Sequence, residues 1–313
     1  MLLDDRGPCG VAGSIVRERS LRRTVAALPF ISLWVIGFIA FIAIPIVLVL
    51  YWSFTNYNLF SAPQWVGLAN YQTLIADPTF WKSVWNTAYL ALLGIPTGLV
   101  MGLGTAMLLN RPVAGRGFYR SVVFLPGIVP PVVAALVFVW ILNPNYGLLN
   151  AILSVFGIRP IGWLSDPTWA KIAELMMVLW GSVGTTMVVC LAGLKEIPEH
   201  LYEAAAIDGG SSWAKFRYIT LPMLSPVIFY NIIVGVIFYL QFFEQAFVIT
   251  SQDIGAPVNS TLFFSLYLYQ NAFLFLKMGL ASAMAWILFI ATVGITALFF
   301  GLQRRFVFYI GEG

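Results

Sequence analysis

Charge is what this 313-residue chain has least of: 10% of its residues are Asp, Glu, Lys or Arg, where a soluble domain carries about 25%. With 60% hydrophobic residues it has too little polar surface to cover a water-facing globule, and it is far too apolar for a disordered chain. The one histidine, His200, excludes an HExxH pair or a histidine cluster and reads as a surface residue. Two cysteines, Cys9 and Cys190, exclude a disulfide framework and a zinc ribbon, and both read as plain reduced thiols. No Walker A motif is present, nor any Gly-Lys dipeptide, so the chain has no phosphate-binding loop of its own.

What fills the sequence is apolar runs. Residues 28–54, 83–109, 121–142, 172–194, 223–250 and 278–302 are each long enough to cross a hydrocarbon core, which takes about 20 helical residues. The expected fold is an all-α membrane protein of six spans, 28–302, with tails at 1–27 and 303–313. The first run is longer than the roughly 7–15 residues of a signal-peptide core, so it reads as a retained span. No internal repeat is visible. Of the 17 Lys and Arg, 4 (Lys82, Arg159, Lys171, Lys277) fall on one side of these spans and 13 on the other. The positive-inside rule then places both termini in the cytoplasm, and the net charge of +4 is a topology signal rather than a nucleic-acid patch. Two loops on the opposite side are long. Residues 55–82 mix aromatics with Pro63 and Pro78; in 143–171, Tyr146, Leu148, Leu149, Ile152, Leu153 and Phe156 have near-helical spacing. The latter reads as a short interfacial helix, either a lid lying on the membrane or a docking surface for an extracytoplasmic partner.

The loop 195–222 has the clearest punctuation. Pro198 suits the first turn of a helix and Glu199 complements its dipole. Alanines follow, Gly209 or Gly210 can take the left-handed conformation that stops the helix, Ser211 or Ser212 can cap a second short helix, and Pro222 is expected to end it. On physics alone such a hairpin could be an ordinary surface loop. Its residues say more: Glu203-Ala204-Ala205, Asp208-Gly209, Phe216, Leu221 and Pro222 resemble the EAA loop of permease subunits of bacterial ATP-binding-cassette (ABC) importers. Val66-Gly67-Leu68-Ala69-Asn70-Tyr71, Asn110-Arg111, Gly115-Arg116-Gly117, Phe124-Leu125-Pro126, Asn143-Pro144 and Gly147-Leu148-Leu149-Asn150 are similar to marks of its carbohydrate branch, the maltose and glycerol-3-phosphate permease type. Two departures stand out: Gly210 replaces the family's usual Ala, and residues 251–259 lack its Gly-Gly-Pro element.

The resemblance implies a type I importer permease in a bacterial or archaeal inner membrane. Glu203, Ala204, Ala205, Asp208, Gly209, Leu221 and Pro222 would couple it to a separate ATPase. The implied partners are a second permease subunit in a heterodimer, two cytoplasmic ABC ATPases and an extracytoplasmic sugar-binding protein. ATP and Mg would sit on the ATPase, with no cofactor on this chain and no nucleic acid.

For the substrate path, the fourth run, 172–194, offers Ser182, Thr185 and Thr186 at i, i+3, i+4 beside Trp180, and the fifth, 223–250, offers Tyr239 with Gln241, Glu244 and Gln245. These polar groups could equally hold helices together through interhelical hydrogen bonds. The spans contain no Lys or Arg, which points to a neutral sugar as cargo rather than a phosphorylated one. A self-contained secondary transporter or channel is the competing class, and it would want an intramembrane acid or base. Glu244 is the one ionisable residue expected at depth, with Glu174 near a boundary.

Overall fold

The computed structural model describes residues 31–112, 114–251 and 259–307. The tail residues 1–30 and 308–313, with Cys9, and the stretch 252–258 lacking the glycine-rich element lie outside them. The described residues are helical, with one isolated bridge between Thr55 and Trp65 and no strand. In chain order the principal helices are α1 (Ile31–Ser53), α2 (Ala69–Ala76), α3 (Pro78–Asn110), α4 (Arg116–Phe124), α5 (Pro131–Ile141), α6 (Leu148–Val155) and α7 (Pro167–Glu196). They continue with α8 (Glu199–Ile207), α9 (Ser212–Lys215), α10 (Ser225–Leu240), α11 (Glu244–Ser251), α12 (Phe264–Tyr269) and α13 (Met278–Phe306). Five stretches are long and apolar enough to cross a bilayer, namely α1, α3, α7, α10 with most of α11, and α13; α4 and α5 together make a sixth candidate.

The centre is the pair α3 and α7, and both begin with the tripeptide Asp-Pro-Thr. Asp77 accepts from the Thr79 N–H at 2.8 Å and Asp166 from the Thr168 N–H at 2.8 Å, while Pro78 and Pro167 take the first helical position, where a missing N–H loses no bond. The two helices lie side by side in the same chain direction, since Tyr89 meets Lys171, Gly98 meets Leu179 and Gly102 meets Thr186. Close approach is possible because Gly98 and Gly102 face α7, while Gly94, one turn earlier on the same bare stripe of α3, faces Tyr239 of α10. A Cβ on Gly102 would stand 2.7 Å from the Cβ of Thr186. With lipid tails as apolar as the side chains, this packing, not water exclusion, holds the spans together.

The family-like motifs in the loops turn out to be fastenings. Asn70 donates to the carbonyls of Ser53 and Thr55, both at 2.8 Å, and Tyr71 donates to the Ser53 hydroxyl, so the end of α1 is tied down. Asn150, buried in α6, donates to the carbonyls of Pro144 and Ile161 and accepts from the Ile161 N–H and Trp163 Nε1, which uses its whole amide. The helix expected in the 143–171 loop is therefore present, with Leu149 and Leu153 turned to an apolar cluster and Leu148, Ile152 and Phe156 exposed.

Three expectations need correction. The third run, 121–142, is not a straight helix: Leu125–Ile128 form a tight turn, and Pro126, Pro130 and Pro131 bend α4 from α5 by 98°. The fifth run is interrupted at Gln241–Phe243, between α10 and α11. Pro222 does not end the second helix of the hairpin: Phe216–Thr220 form a wide turn, with the Leu221 N–H bonded to the Phe216 carbonyl, and helix resumes through Pro222 as far as Met223. The same arrangement occurs in α1, where the wide turn Ile39–Ala43 precedes Pro45. A wide turn makes room for a ring that would otherwise strike the carbonyl four residues back.

Candidate functional site

A cavity of about 350 Å³ opens where α3, the bend after α4, α7 and α10 converge. Its α3 wall is bare backbone and aliphatic, from Gly94, Ile95, Gly98 and Leu99. The bend contributes Pro126 and Gly127, and a Cβ on Gly127 would lie 3.0 Å from the Gly181 carbonyl. Thus the proline break that disrupts the third span also shapes this wall. Polar groups come from α7 (Ser182, Thr185, Thr186), α10 (Tyr230, Asn231, Tyr239) and α11 (Gln245). No lining residue is charged.

Of the eight path residues expected from sequence, five (Ser182, Thr185, Thr186, Tyr239, Gln245) line the cavity together. Three do not line it. Trp180 turns away from the cavity to meet the Phe138 ring edge-on at 5.6 Å. Gln241 and Glu244 are exposed, because the break at Gln241–Phe243 rotates α11 and cancels the face that an unbroken helix would have given them. Of the two acids weighed from sequence, Glu174 is fully buried and Glu244 is exposed in this chain. Tyr230 and Asn231 were missed, although they sit two turns before Tyr239 on the same helix; Asn231 donates to the Val227 carbonyl of its own helix at 2.8 Å. The interhelical-bond reading of the α7 hydroxyls finds no support among the described residues, where Ser182, Thr185 and Thr186 make no side-chain hydrogen bond.

The hairpin 195–222 lies at the opposite end of α7 from Asp166. Its turn is a complete helix stop: Gly209 has φ +75°, its N–H bonds the Ala206 carbonyl at 3.2 Å, and the Gly210 N–H bonds the Ala205 carbonyl at 2.7 Å. Ser211 then caps α9 by accepting from the Ala214 N–H at 3.2 Å. The inner face is fixed, with Leu201, Tyr202, Phe216 and Ile219 against an apolar cluster that includes Leu109, Leu194 and Leu224, and with the Tyr202 and Thr220 hydroxyls sharing a hydrogen bond of 2.9 Å. The outer face presents Glu203, Ala204, Asp208 and Gly209, together with Ile207 (87% exposed) and Trp213 (70%). Ala205 is half-buried beneath them, and Leu221 and Pro222 belong to the helix leading into α10 rather than to the elbow.

A helical bundle of this kind, with a rigid hairpin at one end, matches known proteins closely. A probable ABC transporter permease, YesP of Bacillus subtilis, is 37% identical over 95% of this chain and 97% of its own length. A sulfoquinovosyl glycerol permease, SmoG of Agrobacterium fabrum, is 34% identical over 84% of this chain and 85% of its own. The trehalose/maltose permease MalF of Thermococcus litoralis is 32% identical over 85% and 89%. In fold, the chain superposes on a bacterial ABC transporter for alginate with a TM-score of 0.81 at 23% identity, covering 92% of this chain and 98% of that one. Residues 94–309 match the family described as binding-protein-dependent transport system inner membrane component. The chain belongs to that family: it is a permease subunit of an ABC importer.

Proposed function

We propose that this permease forms half of the path for a neutral sugar, pairs with a second permease, receives its cargo from an extracytoplasmic binding protein, and is driven by two cytoplasmic ATPase subunits that hold ATP and Mg. The observation that carries the substrate class is the cavity lining. Hydroxyls, amides and the rings of Tyr230, Phe238 and Tyr239 surround it without one charged side chain. Such a lining can exchange hydrogen bonds with sugar hydroxyls and stack on the ring face, but it offers no counter-charge to a phosphate, sulfonate or carboxylate leaving water. The relatives include proteins named for neutral sugars, lactose and trehalose/maltose, and one named for an anionic sugar.

The coupling role falls to the outer face of the hairpin. Its bend is rigid, its apolar inner face is anchored to α3 and α7, and its exposed Ile207 and Trp213 beside Glu203 and Asp208 suit a cleft on a partner protein. The charge distribution, with 13 of 17 basic residues on the hairpin side of the spans, supports a cytoplasmic hairpin and both termini inside. The deciding experiment is purification of the complex from its native membrane and reconstitution in liposomes. Uptake of a neutral sugar that requires both ATP and the binding protein is the expected result; uptake by this chain alone would make it a secondary transporter.

A further inference from the structure

The C-terminal end of α3 and the inner face of the hairpin do not close on one another completely. Between them lies a pocket of about 220 Å³, lined by Met107, Asn110 and Arg111 at the end of α3, Leu194 of α7, and Tyr202 and Thr220 of the hairpin. Four of these six side chains are polar, and each of the four can donate a hydrogen bond. No carboxylate lines the pocket.

The donors are not used up by the protein. Among the described residues, neither the Arg111 guanidinium nor the Asn110 amide has a hydrogen-bond or ion-pair partner. Tyr202 and Thr220 share one hydrogen bond of 2.9 Å, which occupies one of their two protons; the other has only the Lys215 carbonyl, at 3.4 Å from the Thr220 oxygen and beyond the usual range. A helix C-terminus by itself disfavours an anion, carrying a partial charge of about −0.5. Two full positive charges outweigh it here. Arg111 caps α3, and Arg120 of α4 reaches the same end, where its Nη2 donates to the Leu109 carbonyl at 3.5 Å and its buried Nε has no partner.

We propose that this pocket binds a phosphate ester of net negative charge. The guanidinium fork of Arg111 pairs with two phosphate oxygens, the Asn110 amide and the spare hydroxyl proton complete the set, and Arg120 contributes its charge from behind. Two sources present such a group: the headgroup of an anionic phospholipid and a soluble phosphorylated metabolite. The lipid has a way in, because exposed Leu108 lies three residues before Arg111 on the same side of α3, and an acyl chain along that side brings its headgroup to the pocket. An occupant bridges α3 to the hairpin and so adds to the fastening made by Tyr202 and Thr220. The inference concerns the inner face of the hairpin and is independent of the sugar carried and of the coupling role of the outer face.

The test reads the thermal midpoint of the whole transport complex in nanodiscs of phosphatidylcholine, a lipid of no net charge. Phosphatidylglycerol is added to the disc in one arm and soluble glycerol phosphate to the buffer in the other. A ligand bound only by the folded protein raises the midpoint. A rise with phosphatidylglycerol alone names the lipid as the source, a rise with glycerol phosphate alone names the metabolite, and a rise with both shows a site open to either. In the responding arm Arg111→Gln should weaken apparent affinity about tenfold, and Arg111→Lys, which keeps the charge without the fork, should recover part of it. Arg217→Gln, which removes an exposed charge of the same hairpin outside the pocket, should match the parent. Should Arg111→Gln fail to assemble, Asn110→Leu takes its place, with a severalfold loss expected. No rise in either arm would overturn the site, as would equal losses in Arg111→Gln and Arg217→Gln, which would show a diffuse surface attraction only.

Discussion

The phenol of Tyr239 on α10 occupies the space that a side chain on Gly94 of α3 would need. Both residues line the cavity, so one contact sets its width and joins the two helices. Gly94→Ala should therefore force the helices apart at a cost of about 1–3 kcal/mol, lowering the thermal midpoint of the complex and its sugar uptake. Adding Tyr239→Ala should recover the midpoint but not the uptake, because the ring itself lines the cavity; a double variant no more stable than Gly94→Ala alone would show that the two do not interact.

The elbow depends on one left-handed residue. Gly209→Val places a branched side chain at φ +75°, which disfavours the turn by about 1–2 kcal/mol. Expected is loss of stimulated ATP hydrolysis while the membrane subunits still accumulate normally, read by ATPase assay beside a membrane immunoblot. Normal stimulation would remove the hairpin from the coupling route.

Among the cavity residues, Thr185→Val and Asn231→Leu each remove a polar group in contact with the proposed sugar. Loss of one hydrogen bond, about 0.5–1.5 kcal/mol, should raise the half-saturating sugar concentration severalfold at unchanged complex yield. Trp180→Phe and Glu244→Gln, which lie off the cavity, should leave it as it is. The reverse pattern would return the path to the face drawn from sequence.

Asp77 gives a pH signature. Burial works against its charge, but hydrogen bonds from the Tyr267 hydroxyl and from Thr79 and Phe80 hold the carboxyl below its usual value of 3.8. A depressed carboxylate contributes stability above its unfolded pKa that is lost as pH falls through the folded one. Thermal midpoints should therefore fall below pH 4 more steeply in the parent than in Asp77→Asn, whose midpoint is already lower at neutral pH. Parallel curves would deny the carboxylate this role.

Orientation is checked at Ser61, exposed in the loop between α1 and α2. In a Ser61→Cys variant the thiol should react with an impermeant reagent added from outside intact cells. Reaction only from the cytoplasmic side would invert the topology.

Most spans could be read directly from sequence because a membrane demands one uninterrupted signal, an apolar run of fixed length, and α3, α7 and α13 obey it. The breaks were less visible. Pro126, Pro130 and Pro131 were in plain view, but an apolar count does not register that they bend the chain by 98°. The polar faces suffered from the same cause: Ser182, Thr185 and Thr186 lie in an unbroken helix and kept their spacing, whereas Gln241 and Glu244 straddle an interruption that resets the phase of the helix. The Gly94, Gly98, Gly102 stripe was legible from its four-residue spacing and was passed over. Glu174 could not have been found by inspection, since only tertiary packing tells a sealed carboxyl from one at a wet boundary.

The matching Asp-Pro-Thr starts of α3 and α7 bear on which changes in length the chain can accept. Each cap fixes where its helix begins, and Gly94, Gly98 and Gly102 must then arrive facing Tyr239, Leu179 and Thr186. One residue inserted or deleted between Asp77 and Gly94 would swing that stripe by about 100° and turn bulky side chains onto the partner helices. Point substitutions on the lipid side of α3 can drift freely, but its residue count cannot. Variation in length belongs instead to places such as the turn at Gly157, which has open space around it.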